Sequence, residues 1–195
     1  LNRSKIQDNP ILHNSSGRRL KLLLRLVVSF SILAAGLREE TESLIYDHYG
    51  DSVSVLFKKM PIPPEIKSMA EKNARLHFML NQIYLWEIFQ KDSLVGLAYL
   101  DNVKGKSQPI TYAVFYDLNG NVIDSHIIKY REPIGGEVAN RHWLKQFLGK
   151  STNSDYQVGK NIDGISGATI SVNAVTRGIH RSTFVIDFLL NKHDE

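Results

Sequence analysis

The stretch Ile110–Tyr130, ITYAVFYDLNGNVIDSHIIKY, decides the fold class. Two runs rich in β-branched and aromatic residues flank Asn119-Gly120. That dipeptide is a strong hairpin signal, because a type I′ turn needs positive φ at both central residues. The pattern predicts strands over Ile110–Asp117 and Val122–Tyr130. Further out, Gln82–Gln90 and Leu94–Leu100 also read as strands, with Asp101-Asn102-Val103-Lys104-Gly105-Lys106 as the turn before Ile110. The four strands form an antiparallel meander. Ser52–Lys58 alternates and reads as a further strand, and Pro61, Pro63 and Pro64 then break the chain. Helices are predicted over 41–49, from Pro64 (a good first helical residue) to Leu76, over Glu137–Leu148, and over Ser171–Leu190. On the last of these, Val172, Val175, Ile179, Ile186 and Leu190 share one apolar face. Strands in series with helices at their flanks give an α+β class, an antiparallel sheet meander flanked by helices in a single domain, rather than a doubly wound sheet. The predicted boundaries are a leader over 1–36, a short connecting segment over 37–51 and the domain over 52–191.

Charge and cysteine content exclude several functions. Of the 24 Lys and Arg, seven precede residue 41, against three of the 20 Asp and Glu, so the remainder of the chain is balanced. The net charge of +4 therefore belongs to the leader, and nucleic-acid binding, which needs a basic face on the domain itself, is not expected. The absence of cysteine excludes disulfides, thiolate metal sites and iron–sulfur ligation. Arg18, Arg19, Lys21 and Arg25 precede the apolar run Leu26–Leu33 and the small residues Ala34-Ala35-Gly36, the layout of a signal peptide. An uncleaved signal anchor and a buried core helix are the alternatives. The leader predicts a periplasmic or other extracytoplasmic location, with a membrane tether if it is retained.

Asp163-Gly164-Ile165-Ser166-Gly167-Ala168-Thr169-Ile170-Ser171 is a glycine-and-hydroxyl turn leading into the last apolar-periodic helix. Unpaired N–H groups and the positive end of a helix dipole suit a phosphate, and Gly164, Gly167 and Ala168 permit close approach of a bulky ligand. The alternative is structural: Thr169 or Ser171 caps the helix and the glycines merely turn the chain. The segment resembles the Asp-x-x-(Ser/Thr)-Gly-Ala-Thr signature of the FMN-binding domain family. That resemblance implies FMN esterified through its phosphate to Thr169 by a separate flavin transferase. It also implies recognition by the transferase at Asp163 and Gly164, and contacts to phosphate and ribityl chain from Ser166, Gly167, Ala168 and Ser171, with Ile170 beside them. Esterification removes roughly one negative charge, so a helix start and small residues could hold the group without any lysine.

A second segment, Tyr130-Arg131-Glu132-Pro133-Ile134-Gly135-Gly136, resembles part of the His-x-Glu-Thr-Pro-Gly-x-Gly stretch of the flavin subunits of Rnf- and Nqr-type respiratory complexes. Glu132, Gly135 and Gly136 keep the pattern, whereas its histidine and threonine are missing. The chain is therefore more similar to stand-alone exported FMN-binding domains than to pump subunits. Gly135 and Gly136 would let a flat ring approach the backbone, and Arg131 would stand near its pyrimidine edge.

Gly149-Lys150-Ser151-Thr152 ends like a P-loop, but Leu144 replaces the required first glycine. Asp117–Asn121 opens like a calcium loop, but Ile128 replaces its closing glutamate. The seven histidines show no metal-ligand spacing and no nucleophile–base pattern is present. The expectation is an exported carrier of covalent FMN passing electrons between a membrane donor and an extracytoplasmic acceptor. The rival readings are a small reductase with non-covalent FMN and a flavin-free binding or assembly module.

Overall fold

The computed structural model describes residues 36–192. The predicted leader falls outside the described residues apart from its last position. Residues 36–49 are helical (α1), and all that follows belongs to one compact unit, Glu40–Glu195. Five antiparallel strands make one sheet in chain order: β1 (Val53–Pro61), β2 (Gln82–Gln90), β3 (Ser93–Lys104), β4 (Pro109–Tyr116) and β5 (Val122–Lys129). The predicted meander is present, and β1 joins it as a fifth strand through the Val53↔Gln90 to Pro61↔Gln82 register. Between β1 and β2 runs α2 (Pro64–Ala74), which begins with Pro64 in its first turn and ends at Arg75 in the left-handed region. After β5 come a short α3 (Arg141–Leu144) and then α4 (Thr169–Asn191).

Helices cover both faces of the sheet. On one face α4 buries Val172, Val175, Ile179, Val185 and Ile186 against Tyr99, Val103, Tyr112, Val114 and Tyr116. Each such aliphatic side chain withdrawn from water contributes roughly 1.5–3 kcal/mol, so this helix is held by packing rather than by propensity. On the other face, Ile45 is buried and the Trp86 indole N–H donates to Glu42 Oε1 at 2.9 Å. Among the described residues, no helix is long and apolar enough to cross a membrane.

Four local expectations are corrected. The turn predicted over Asp101–Lys106 begins later, because β3 continues to Lys104. Asp101 is buried against Tyr99 and Arg181, and Asn102 Oδ1 accepts from Thr111 Oγ1, so polar residues sit inside a strand with their partners in place. Asn119 does not take positive φ. Gly120 alone does, at 77°, and the Asp117 carboxylate accepts from the amides of Asn119 and Asn121, giving a longer loop than type I′. The helix predicted over Glu137–Leu148 is broken into short turns at Asn140, whose extended backbone and side chain cap α3. Finally, neither Thr169 nor Ser171 caps α4. Ala168 stands at that position without a side-chain cap, and the helix starts two residues earlier than Ser171.

Candidate functional site

The helix start that lacks a side-chain cap is the foundation of the site. Ile165–Ala168 forms a turn closed by Ala168 N–H donating to Ile165 O at 3.1 Å, with Gly167 at φ 78°, a conformation that favours glycine. The first intrahelical bond is that of Val172 N–H to Ala168 O. The N–H groups of Thr169, Ile170 and Ser171 consequently have no acceptor among the described residues. They carry the positive end of a 23-residue helix. Thr169 is exposed and its hydroxyl makes no hydrogen bond among the described residues. Ser171, by contrast, is 4% exposed and is committed to the fold. Tyr130 Oη donates to Ile134 O at 2.5 Å, which leaves Ser171 Oγ to donate to Tyr130 Oη at 2.9 Å.

This start opens onto a cavity of about 360 Å³, within the roughly 300–1,000 Å³ range of small-molecule sites. Gly167–Ser171 form one wall, and Glu132–Ile134 with Lys106 and Ser107 form the other. Gly135 brings the two together. Its φ is 89°, and a Cβ there would lie 2.7 Å from Tyr130 Oη and 3.1 Å from Ala168 Cβ. At Gly136 the nearest atom would be 3.8 Å away, so only the first of the pair is demanded by geometry. Pro133 and the 73%-exposed Ile134 give this wall an apolar lip, facing the half-exposed Ile170.

The structure distributes the predicted residues unevenly. Gly167, Ala168, Thr169, Ile170, Ser171 and Glu132 line the cavity. Gly135 lies buried behind it, while Ser166 is exposed on the turn and Gly136 is outside the lining. Asp163 and Gly164 lie outside it too. Asp163 is anchored by its backbone, its carbonyl accepting from Trp143 Nε1 at 2.8 Å and its N–H donating to Gln146 Oε1 at 2.7 Å. Arg131 turns away, with Nη1 donating to Pro109 O at 3.1 Å and Thr111 Oγ1 at 3.2 Å. Glu132 Oε1 accepts from the backbone of Ser107 and Gln108, and these amides hold its carboxyl below the usual range, so it is anionic.

Sequence reading missed Lys106, Ser107, Tyr130, Pro133 and Ile134. Lys106 is the one cation lining the cavity among the described residues. An apolar residue between Pro133 and Gly135 was a usable local signal for Ile134. Nothing local marks Lys106, which comes to the site from a hairpin turn. A second cavity, about 330 Å³, lies between Leu44, His126 and Arg141, and none of the motif residues reaches it. No group of His, Asp or Glu suited to a metal occurs among the described residues.

Residues 105–183 match the family model described as "FMN-binding domain", a span that includes both walls of the cavity and the Asp163–Ser171 turn. The resemblance read from the two segments is thus supported by an independent match, and residues 105–183 carry an FMN-binding domain. The crystal structure of Shewanella oneidensis NqrC is similar at a TM-score of 0.53 and 19% identity, covering 75% of this chain and 86% of that one. At that identity the likeness is one of fold. No curated protein matches.

Proposed function

We propose that the FMN-binding domain of residues 105–183 holds its flavin covalently, as a phosphoester of Thr169, and serves as an electron carrier. The observation that carries this reading is the free, exposed Thr169 hydroxyl on the cavity wall, with the unpaired N–H groups of α4 beside it. A hydroxyl already used as a helix cap would be a poor acceptor for a phosphate, and this one is uncommitted. Fit to the group is favourable on three further counts: small residues at Gly167 and Ala168, an apolar lip at Pro133 and Ile134, and one cation at Lys106.

A flavin bound here supplies one- and two-electron chemistry, and the protein supplies attachment, orientation and electrostatic environment. Esterification would join Thr169 Oγ1 to the flavin phosphorus as one P–O bond of the flavin donor breaks, its leaving group departing with the threonine proton, for a net gain of FMN less one water. The helix start offsets the charge that remains on the diester. A separate flavin transferase makes the bond, and Asp163-Gly164 beside the motif is where it docks. The arginine-rich leader supports export, so that electrons pass between a membrane donor and an extracytoplasmic acceptor. A tether prevents cofactor loss in a compartment where free FMN is not replenished.

The full chain co-expressed with a flavin transferase tests the reading by intact mass after denaturation. A gain equal to FMN less one water, absent from Thr169→Val, is expected. A flavin released by denaturation would favour the non-covalent reductase, and a colourless, unmodified protein would favour the flavin-free module. Fractionation of cells into periplasm, membrane and cytoplasm tests export; cytoplasmic retention of the full chain would reject it.

A further inference from the structure

The β3–β4 turn is built around a carboxylate from another part of the chain. Glu132 Oε1 accepts from Ser107 N–H at 2.6 Å and from Gln108 N–H at 2.9 Å, 25 and 24 residues away. Gly105 closes the turn by donating to Gln108 O at 3.0 Å, and a Cβ on Gly105 would lie 2.6 Å from Glu132 Oε1. That Cβ would also lie 2.8 Å from Gln108 O, so the turn's own backbone as well as the carboxylate leaves no room for a side chain. Arg131, the preceding residue, ties down the first residues of β4 through Pro109 O and Thr111 Oγ1. Two consecutive side chains thus lock one hairpin end against the strand-to-turn segment that forms the cavity's second wall. The residue carried on that hairpin end is Lys106. Its ammonium interacts electrostatically with the Glu132 carboxylate and forms no salt-bridge contact among the described residues.

We propose that Glu132 is a positioning residue, clamping the β3–β4 turn so that Lys106 supplies the positive charge facing the flavin ring. This rests on the flavin reading of the preceding section. The division of labour follows from the two walls. The phosphodiester at Thr169 already has the three free N–H groups of α4, whereas the wall formed by Glu132–Ile134 and Lys106 stands across the cavity. Uptake of two electrons and one proton leaves one negative charge on the ring. A cation held beside that charge favours the reduced form, and a cation on a loose loop would favour it less. In this arrangement Glu132 acts on the ring through the turn it holds. Its two amide bonds are its role.

The test uses full-length protein carrying covalent flavin, titrated with dithionite and redox dyes. Lys106→Met is expected to lower the reduced-to-oxidised ratio about tenfold at a given potential, roughly 30 mV to the negative for a two-electron couple. Lys106→Arg restores the potential. Measured against Glu132→Gln, which also lacks the negative charge but keeps an acceptor, Glu132→Ala shifts it in the same direction as Lys106→Met, and in the Lys106→Met background the two Glu132 variants have equal potentials. In protein before flavin attachment, Glu132→Ala accelerates hydrogen exchange at the Ser107 and Gln108 amides, and Glu132→Gln, which keeps an acceptor, does so less. An unchanged potential in Lys106→Met overturns the assignment. So does loss of flavin attachment with Lys106→Met but not with Lys106→Arg, which would move the charge to the phosphodiester. Unchanged exchange in Glu132→Ala overturns the clamp. A wild-type chain that never takes flavin rejects the underlying reading instead, and the exchange measurement still decides the clamp.

Discussion

The Arg181 guanidinium and the Asp101 carboxylate meet 2.7 Å apart, 80 residues apart in sequence, with side-chain exposures of 0% and 3%. The pair joins the middle of α4 to β3. Arg181 also donates through Nη1 to His77 O and lies over the Phe78 ring at 4.0 Å, so the loop before β2 is fastened to the same point. The consequence for the site is direct: α4 carries Thr169 at its start, and this network fixes the helix along the sheet.

Removing one member of that pair leaves the other charge buried and alone. Arg181→Met is expected to cost about 3–5 kcal/mol. Combined with Asp101→Asn, the loss should fall well short of the sum of the two single variants, because both break one network. Urea unfolding of all three variants measures this, and additive losses would contradict it.

At Gly178 two effects oppose each other. Alanine would gain about 1 kcal/mol of helix propensity. Its Cβ would, however, lie 2.5 Å from Val103 Cγ1 and 3.1 Å from the Tyr112 ring, and Tyr112 Oη donates to Gly178 O at 2.8 Å. Overpacking of that kind costs about 1–3 kcal/mol, and the β-branched neighbour inside a strand cannot turn away. Gly178→Ala should therefore be destabilising, read as a lower midpoint of thermal or urea unfolding.

Gly135→Ala separates site geometry from overall stability. A non-glycine residue in this left-handed conformation costs about 1–3 kcal/mol, and the added methyl pushes on Tyr130 and Ala168. Slower flavin attachment at Thr169 in a protein that still folds is the expected outcome, followed by intact mass over time. Gly136→Ala, with open space beside it, should attach flavin at the wild-type rate.

Acid should weaken the protein through Asp124. Burial pushes its carboxyl up, but hydrogen bonding and charge from His126, the Ser125 amide and Arg141 outweigh it and hold the group well below the usual range. Because the folded-state value lies below the unfolded one, near 4, its contribution is present above about pH 4 and disappears as pH falls through the folded-state value. The stability gap between wild type and Asp124→Asn should be open above about pH 4 and close toward about pH 2. Urea midpoints across that range measure it; a gap independent of pH would contradict the assignment.

Much of the fold was legible because its signals are local. Alternation marked β2, β4 and β5 to within a residue or two at each end, and Pro64 marked the start of α2. Order along the chain was enough to place Thr169 at a helix start. The misreadings share a cause. Asp101 and Asn102 look like turn residues and lie in a strand, because their partners Arg181 and Thr111 come from elsewhere in the fold. Arg131 and Glu132 carry contacts no local pattern shows: Arg131 donates to Pro109 O and Thr111 Oγ1, and Glu132, while lining the cavity, accepts from the β3–β4 turn.

By itself the sequence determined the four-strand meander, the helical close of the domain and the glycine-and-hydroxyl turn at its start, since periodicity and turn chemistry act over a few neighbouring residues. Tertiary structure alone decided that β1 would edge the sheet, that Thr169 would keep a free hydroxyl while Ser171 lost its own to Tyr130, and that Lys106 would face the motif across a cavity. Those outcomes depend on which polar groups find partners once water is excluded, and such partners lie tens of residues away.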